Sequence, residues 1–134
     1  MDHADYDRIA DLEAAVWSSD DTHGWIDSLA EEVATDPEGT RVFLAVAGDI
    51  AVSAAWIRFP SGTDFGTLWG GATRKEWRGR GIYRSLVARR ARLAAEQGRR
   101  YLQVDASDDS RPILERLGFI VVGTTTPYNW TPPA

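Results

Sequence analysis

The chain contains no cysteine and only two histidines, His3 and His23. The first absence excludes disulfides, thiolate metal sites and cysteine nucleophiles, and it fits a cytoplasmic protein. The two histidines stand far apart in acidic, polar surroundings. That argues against a Ser-His-Asp triad and against a histidine-built centre, so no metal site is expected. Long apolar runs are missing too. None approaches the ~20 residues that cross a bilayer, and the opening Met1-Asp2-His3-Ala4-Asp5 is acidic where a secretory leader would be apolar. No membrane partner is expected. With 134 residues, 43% of them hydrophobic, there is material for one core, which predicts a single domain over 1–134.

Bases are scarce in the first third of the chain and crowded later. Residues 1–40 hold twelve acids and one base, Arg8. Residues 74–100 hold ten of the fifteen Lys and Arg, with only Glu76 and Glu96 against them, a split concealed by the net charge of −5. A basic stretch of that density suggests an anion site. Nucleic acid is not the expected anion, because the chain is negative overall and only Arg84, Arg89 and Arg92 look free on the outer helix face. The acidic segment 1–39 is either a surface for a cation or a solvated face.

Hydrophobic periodicity supplies the element order. Ile9, Leu12, Ala15 and Val16 predict a helix over 5–17; Trp25, Ile26, Leu29 and Val33 predict a second over 25–34. Residues 18–24 read as a loop, and Asp36-Pro37-Glu38-Gly39 as a break. The period then becomes two. Strands over 41–47 and 50–59 form a hairpin across Gly48-Asp49, and a third runs over 65–73. Its Gly70-Gly71 pair marks a bulge, or a place where a backbone or ligand comes close. A long helix follows over 78–97, with Ile82, Tyr83, Leu86, Val87, Leu93 and Ala94 on one stripe and Arg90 in its middle. A strand over 101–106 precedes a short helix that starts among Ser107–Ser110 and Pro112 and ends at Gly118. Strands over 119–125 and 128–130 complete the chain. The order α-α-β-β-β-α-β-α-β-β describes an α/β domain with a mixed sheet, the strand after the long crossover helix lying parallel to the third.

The third strand meets that helix through Gly70-Gly71-Ala72-Thr73-Arg74-Lys75-Glu76-Trp77-Arg78-Gly79-Arg80-Gly81-Ile82-Tyr83. The first amides of a helix lack intrahelical partners and, with the helix dipole, attract anions. Gly79 and Gly81 let backbone approach phosphate oxygens, while Arg74, Lys75, Arg78 and Arg80 add charge. No P-loop and no Gly-x-Gly-x-x-Gly fingerprint occurs.

Arg78-Gly79-Arg80-Gly81-Ile82-Tyr83 resembles the cofactor motif Gln/Arg-x-x-Gly-x-Gly/Ala of the GNAT acyltransferase superfamily, with Tyr83 in place of the usual small residue. Ser110-Arg111-Pro112-Ile113-Leu114-Glu115-Arg116-Leu117-Gly118-Phe119 resembles the same family's last helix and its Leu-Gly-Phe ending. The resemblance covers about 41–125. It implies a GNAT-like fold whose parallel strands splay apart, with residues 40–134 as the cofactor-binding core and 1–39 on the acceptor side. The family's usual first strand has no counterpart in this sequence: either the sheet has one strand fewer or the chain lacks its true N-terminus, and a partner such as a second copy of the chain could supply that edge.

The resemblance further implies direct transfer of an acetyl group from acetyl-CoA to an amine. Gly71, Ala72 and Thr73 would hold the pantetheine and thioester, and Arg78, Gly79, Arg80, Gly81, Ile82 and Tyr83 the diphosphate. The family often places a tyrosine acid where Leu114 stands here, and leucine cannot donate a proton. Ser110, Tyr128 and Ser107 are the candidates nearby, although Ser110 is equally an N-cap and Tyr128 equally an aromatic on a sheet face. Asp105 either acts near the amine or pairs with Arg90, which must snorkel or find a partner. The acidic helical segment suggests a cationic acceptor, a small molecule or basic peptide, with Trp25, Trp56, Trp69 and Trp130 as wall candidates. A GNAT-fold module that binds acyl-CoA without transferring it is the competing expectation.

Overall fold

The computed structural model describes residues 1–17 and 23–133; most of the loop expected over 18–24 lies outside the described residues. Two compact units, Met1–Val104 and Asp105–Ala134, each have their own internal contacts.

The first unit carries α1 (His3–Trp17), α2 (His23–Thr35), β1 (Thr40–Ala47), β2 (Ile50–Arg58), β3 (Phe65–Thr73), a 3-10 turn (Lys75–Trp77), α3 (Ile82–Glu96) and β4 (Tyr101–Val104). No strand precedes α1 among the described residues. The sheet order is β1-β2-β3-β4. β1, β2 and β3 form an antiparallel meander, and α3 crosses over to return β4 parallel to β3, as expected from the sequence.

Alternation sorts the sheet's side chains. Ala54, with Val42 and Leu44, packs against Ile9, Leu12 and Ile26 of α1 and α2. Ala55 and Ile57, pointing the opposite way, are equally buried, and α3 packs on β1, β2 and β3 with Leu86, Val87 and Ala94 buried. α2 is tied to the sheet by a charged clasp. Arg58 donates from Nε and Nη2 to the two oxygens of Glu32 (2.7 and 2.9 Å), and Thr40 Oγ1 donates to Glu32 at 2.7 Å. These bonds hold the Glu32 carboxyl below its ordinary range.

The second unit contains α4 (Arg111–Arg116) and an irregular stretch to residue 133. The strands expected over 119–125 and 128–130 are not formed. Their β-branched and aromatic residues suit a pleated, half-buried surface, but a strand also needs a ladder to join. Here Ile120, Val122, Tyr128 and Trp130 are largely exposed. β4 likewise stops at Val104, two residues before the expected end.

Candidate active site

The basic turn between β3 and α3 is held by its own arginines. Arg74 donates its amide to the Val52 carbonyl and its Nε to the Ala51 carbonyl, both at 2.8 Å. Arg78 Nε donates to the Thr73 carbonyl at 3.0 Å, and the Arg80 guanidinium lies 4.7 Å from the Trp77 ring centre. Gly79 and Gly81 take φ of 76° and 77°, the left-handed region that favours glycine. A Cβ at either would meet nothing within 4 Å, so the glycines answer a backbone need beside open space. Among the described residues the amides of 79–84 donate to no other group; Ser85 is the first to do so, to Gly81 at 3.0 Å. Unpartnered amides at a helix start, in a segment that also carries Arg74, Lys75, Arg78 and Arg80, fit a diphosphate.

The preceding strand is opened on one edge. Pairing of β3 with β4 ends at Leu68↔Val104, whereas β3 continues to Thr73. The β2–β3 register shifts between Ala54 and Ala55, where Gly70 and Gly71 adopt φ of 73° and 97°. Any Cβ on Gly70 would strike the Trp56 ring at 2.6 Å, and one on Gly71 the Tyr83 ring at 2.6 Å. The Tyr83 ring thus packs on the bulge, which explains how a large side chain is accommodated in the motif. Ser53 Oγ lies 2.9 Å from Thr73 Oγ1 and donates to the Ala72 carbonyl at 2.8 Å. Because Arg74 donates toward β2, alternation turns the Thr73 amide to the opposite edge, the one β4 has left.

Arg90 stabilises this opening from beneath. It is 1% exposed. Its Nη1 donates to the Trp56 and Trp69 carbonyls (3.1 and 3.0 Å), and its Nε to Leu86 (3.0 Å). Three carbonyl dipoles thus take the place expected for Asp105. Burial lowers the Arg90 pKa to about 10, which leaves it charged at neutral pH.

A cavity of about 260 Å³ adjoins the bulge, lined by Glu13, Trp17, Trp25, Trp56, Gly70 and Ala72. Trp25 stacks on Trp56 at 5.6 Å between ring centres. Glu13 is 7% exposed. Burial pushes its carboxyl above the usual range, and a hydrogen bond from Trp17 offsets part of the shift. No ion pair to Glu13 occurs among the described residues. Sequence reasoning named Trp25 and Trp56 but missed Glu13. Its signal was available: it lies four residues after Ile9 and between Leu12 and Val16, on the apolar stripe of α1.

In the second unit, Ser107 and Ser110 each accept the other's amide (3.2 Å into Ser107 Oγ, 3.1 Å into Ser110 Oγ). The pair closes the turn ahead of α4, and the expected capping of the helix amides by the Ser110 side chain is not made. Asp105 is exposed, and Tyr128 is 91% exposed on the irregular stretch. No hydrogen bond joins Asp105, Ser110 and Tyr128 to one another. Leu114 is 2% exposed.

The mixed sheet parts its parallel pair beside an open amide turn, and comparison with known families says what kind of domain this is. The chain belongs to the GNAT acetyltransferase family: the model of the acetyltransferase (GNAT) domain matches residues 8–132. The aminoglycoside N-acetyltransferase AAC(6')-Iy, solved with a CoA-linked bisubstrate analogue, is similar in structure with TM-score 0.77 and 20% identity over 98% of this chain and 95% of that one. Glucosamine-6-phosphate N-acetyltransferase from Arabidopsis thaliana gives TM-score 0.78 at 10% identity over 96% and 95%. A predicted acetyltransferase from Clostridium acetobutylicum solved with acetyl-CoA gives 0.69 at 18% over 94% and 86%. No curated protein sequence matches the chain.

Proposed function

We propose that this protein transfers an acetyl group from acetyl-CoA directly to an amine, the acceptor being a small molecule or peptide that carries positive charge. The observation that carries this reading is the continuity of the parted β3 edge with the unpartnered amides of 79–84. Acetyl-CoA supplies an activated acyl carbonyl. The amides of Gly79, Arg80, Gly81, Ile82 and Tyr83, with the Arg78 and Arg80 side chains nearby, hold its diphosphate. The outward edge of Gly71, Ala72 and Thr73 aligns the pantetheine, and amides at the bulge stabilise charge developing on the carbonyl oxygen. The similar proteins that act on aminoglycosides and glucosamine phosphate favour a small amine acceptor. Tyr128 is the freer candidate for proton donor to the departing sulfur, since Ser110 is engaged with Ser107; Asp105 is the candidate base of the second unit.

The buried Leu114, where the family's acid often stands, favours one competing reading, a CoA-binding module without transfer. One experiment separates the two. CoA and acetyl-CoA should raise the melting temperature of the full chain, and a panel of amines should release thiol, read with a thiol reagent against no protein background because the chain has no cysteine. Stabilisation without thiol release would favour the module; no stabilisation by either compound would end both readings.

A further inference from the structure

The Glu13 cavity lies in the first unit, touches the bulge at Gly70 and Ala72, and is separate from every group assigned to the diphosphate. Its walls are indoles and its floor an acid. Trp25 and Trp56 present stacked rings, Trp17 is 66% exposed at the rim, and Glu13 is almost wholly buried with no cationic partner among the described residues. Trp56 Nε1, also buried, has no hydrogen-bond partner there either. An acid on the apolar stripe of a helix is costly unless something compensates it. Indole faces attract cations, and a carboxylate ringed by them is the chemistry that recognises an alkylammonium group. A neutral or anionic occupant would leave the acid uncompensated.

We propose that Glu13, Trp17, Trp25 and Trp56 form the acceptor's ammonium site, and that Glu13 takes the proton which must leave before the amine can react. The proposal deepens the acetyltransferase reading and rests on it. One N–H bond of the ammonium breaks and an O–H bond forms on the Glu13 carboxylate. The freed lone pair forms the N–C bond at the thioester carbonyl carbon of acetyl-CoA. The C–S bond breaks with its electron pair on sulfur, which takes a proton to become the thiol, and loss of a second N–H proton from the adduct balances it. Glu13 returns its proton to water, and the third N–H remains on the amide. The location beside Gly70 and Ala72 puts the nitrogen where the parted strand would present the acyl carbon.

The test uses choline, a quaternary ammonium that cannot be N-acetylated, against its neutral isostere 3,3-dimethylbutan-1-ol, with tryptophan fluorescence and calorimetry on the full chain. Choline should bind saturably and the isostere at least about tenfold more weakly. Glu13→Gln should weaken choline binding by about tenfold or more while leaving stabilisation by CoA unchanged. Trp17→Ala, at an exposed rim residue whose loss does not disturb the core, should weaken it several-fold. In turnover, Glu13→Gln should raise KM for the amine and lower kcat, with KM for acetyl-CoA unaltered, and Glu13→Asp should recover part of kcat. Equal binding of choline and its isostere, or unchanged choline binding in both Glu13→Gln and Trp17→Ala, overturns the site even if CoA still stabilises the protein. Loss of CoA stabilisation in the parent protein, with choline binding intact and Glu13-dependent, instead overturns the enzyme reading and leaves the cation site standing.

Discussion

Two helices of the first unit each place one charge in an otherwise apolar stripe, and the two charges have opposite fates. Arg90 of α3 is locked by three carbonyl oxygens through its Nε and Nη1. Glu13 of α1 meets one indole and a cavity. The first is a structural charge, compensated from within. The second has one indole hydrogen bond and no ion pair among the described residues. A buried ionisable group is therefore informative less for being buried than for what completes its surroundings.

The largest expected effect probes the compensated charge. Arg90→Leu removes the donor to the Trp56 and Trp69 carbonyls and should cost about 2–5 kcal/mol in urea denaturation; a loss below about 1 kcal/mol would erase the distinction. Next comes the bulge that Arg90 supports. Gly71→Ala forces a Cβ into positive φ and against Tyr83. It should cost about 1–3 kcal/mol and depress acetyl transfer. Adding Tyr83→Ala should recover the crowding part but not the backbone part, read by the same denaturation.

Glu13→Gln sharpens the contrast by its sign. A carboxyl with a raised pKa holds its proton more tightly when folded, so it favours the folded state most at low pH. That contribution falls as pH rises through the usual carboxylate value toward the raised one. At neutral pH the Gln variant should therefore be as stable as the parent, or more stable by about 1 kcal/mol, while losing transfer. A destabilised variant would place Glu13 with Arg90 among the structural charges. The smallest effect concerns Glu32, whose depressed carboxyl works in the opposite direction. Its stabilisation is present above the ordinary carboxylate value and is lost as pH falls through the lower folded one. Because it is partly exposed and screened, Glu32→Gln should cost at most about 1 kcal/mol and should flatten the acid limb of a melting curve.

These contrasts also explain what could be read in advance. The open turn before α3 was legible because its signal is local: glycines at 79 and 81 among Arg78 and Arg80 prescribe a turn whatever surrounds it. Arg90 was legible as an anomaly, but its partner was not, because carbonyl acceptors carry no side-chain signature; the sequence suggested Asp105. Glu13 raised the same anomaly and was hidden by company, one acid among the twelve of residues 1–40. The segments 119–125 and 128–130 had strand composition, yet strand formation depends on a neighbour to pair with, and that is not encoded in the segment itself.

One helix carries both open amides at its own start, those of Ile82 and Tyr83, and the guanidinium that props the bulge, at Arg90. At ~1.5 Å per residue, α3 acts as a ruler of about 12 Å between those two fixtures. Inserting or deleting a single residue between them would turn Arg90 by about 100° around the axis, so the spacing between the open turn and the bulge is fixed by the length of one helical segment and cannot drift by small steps.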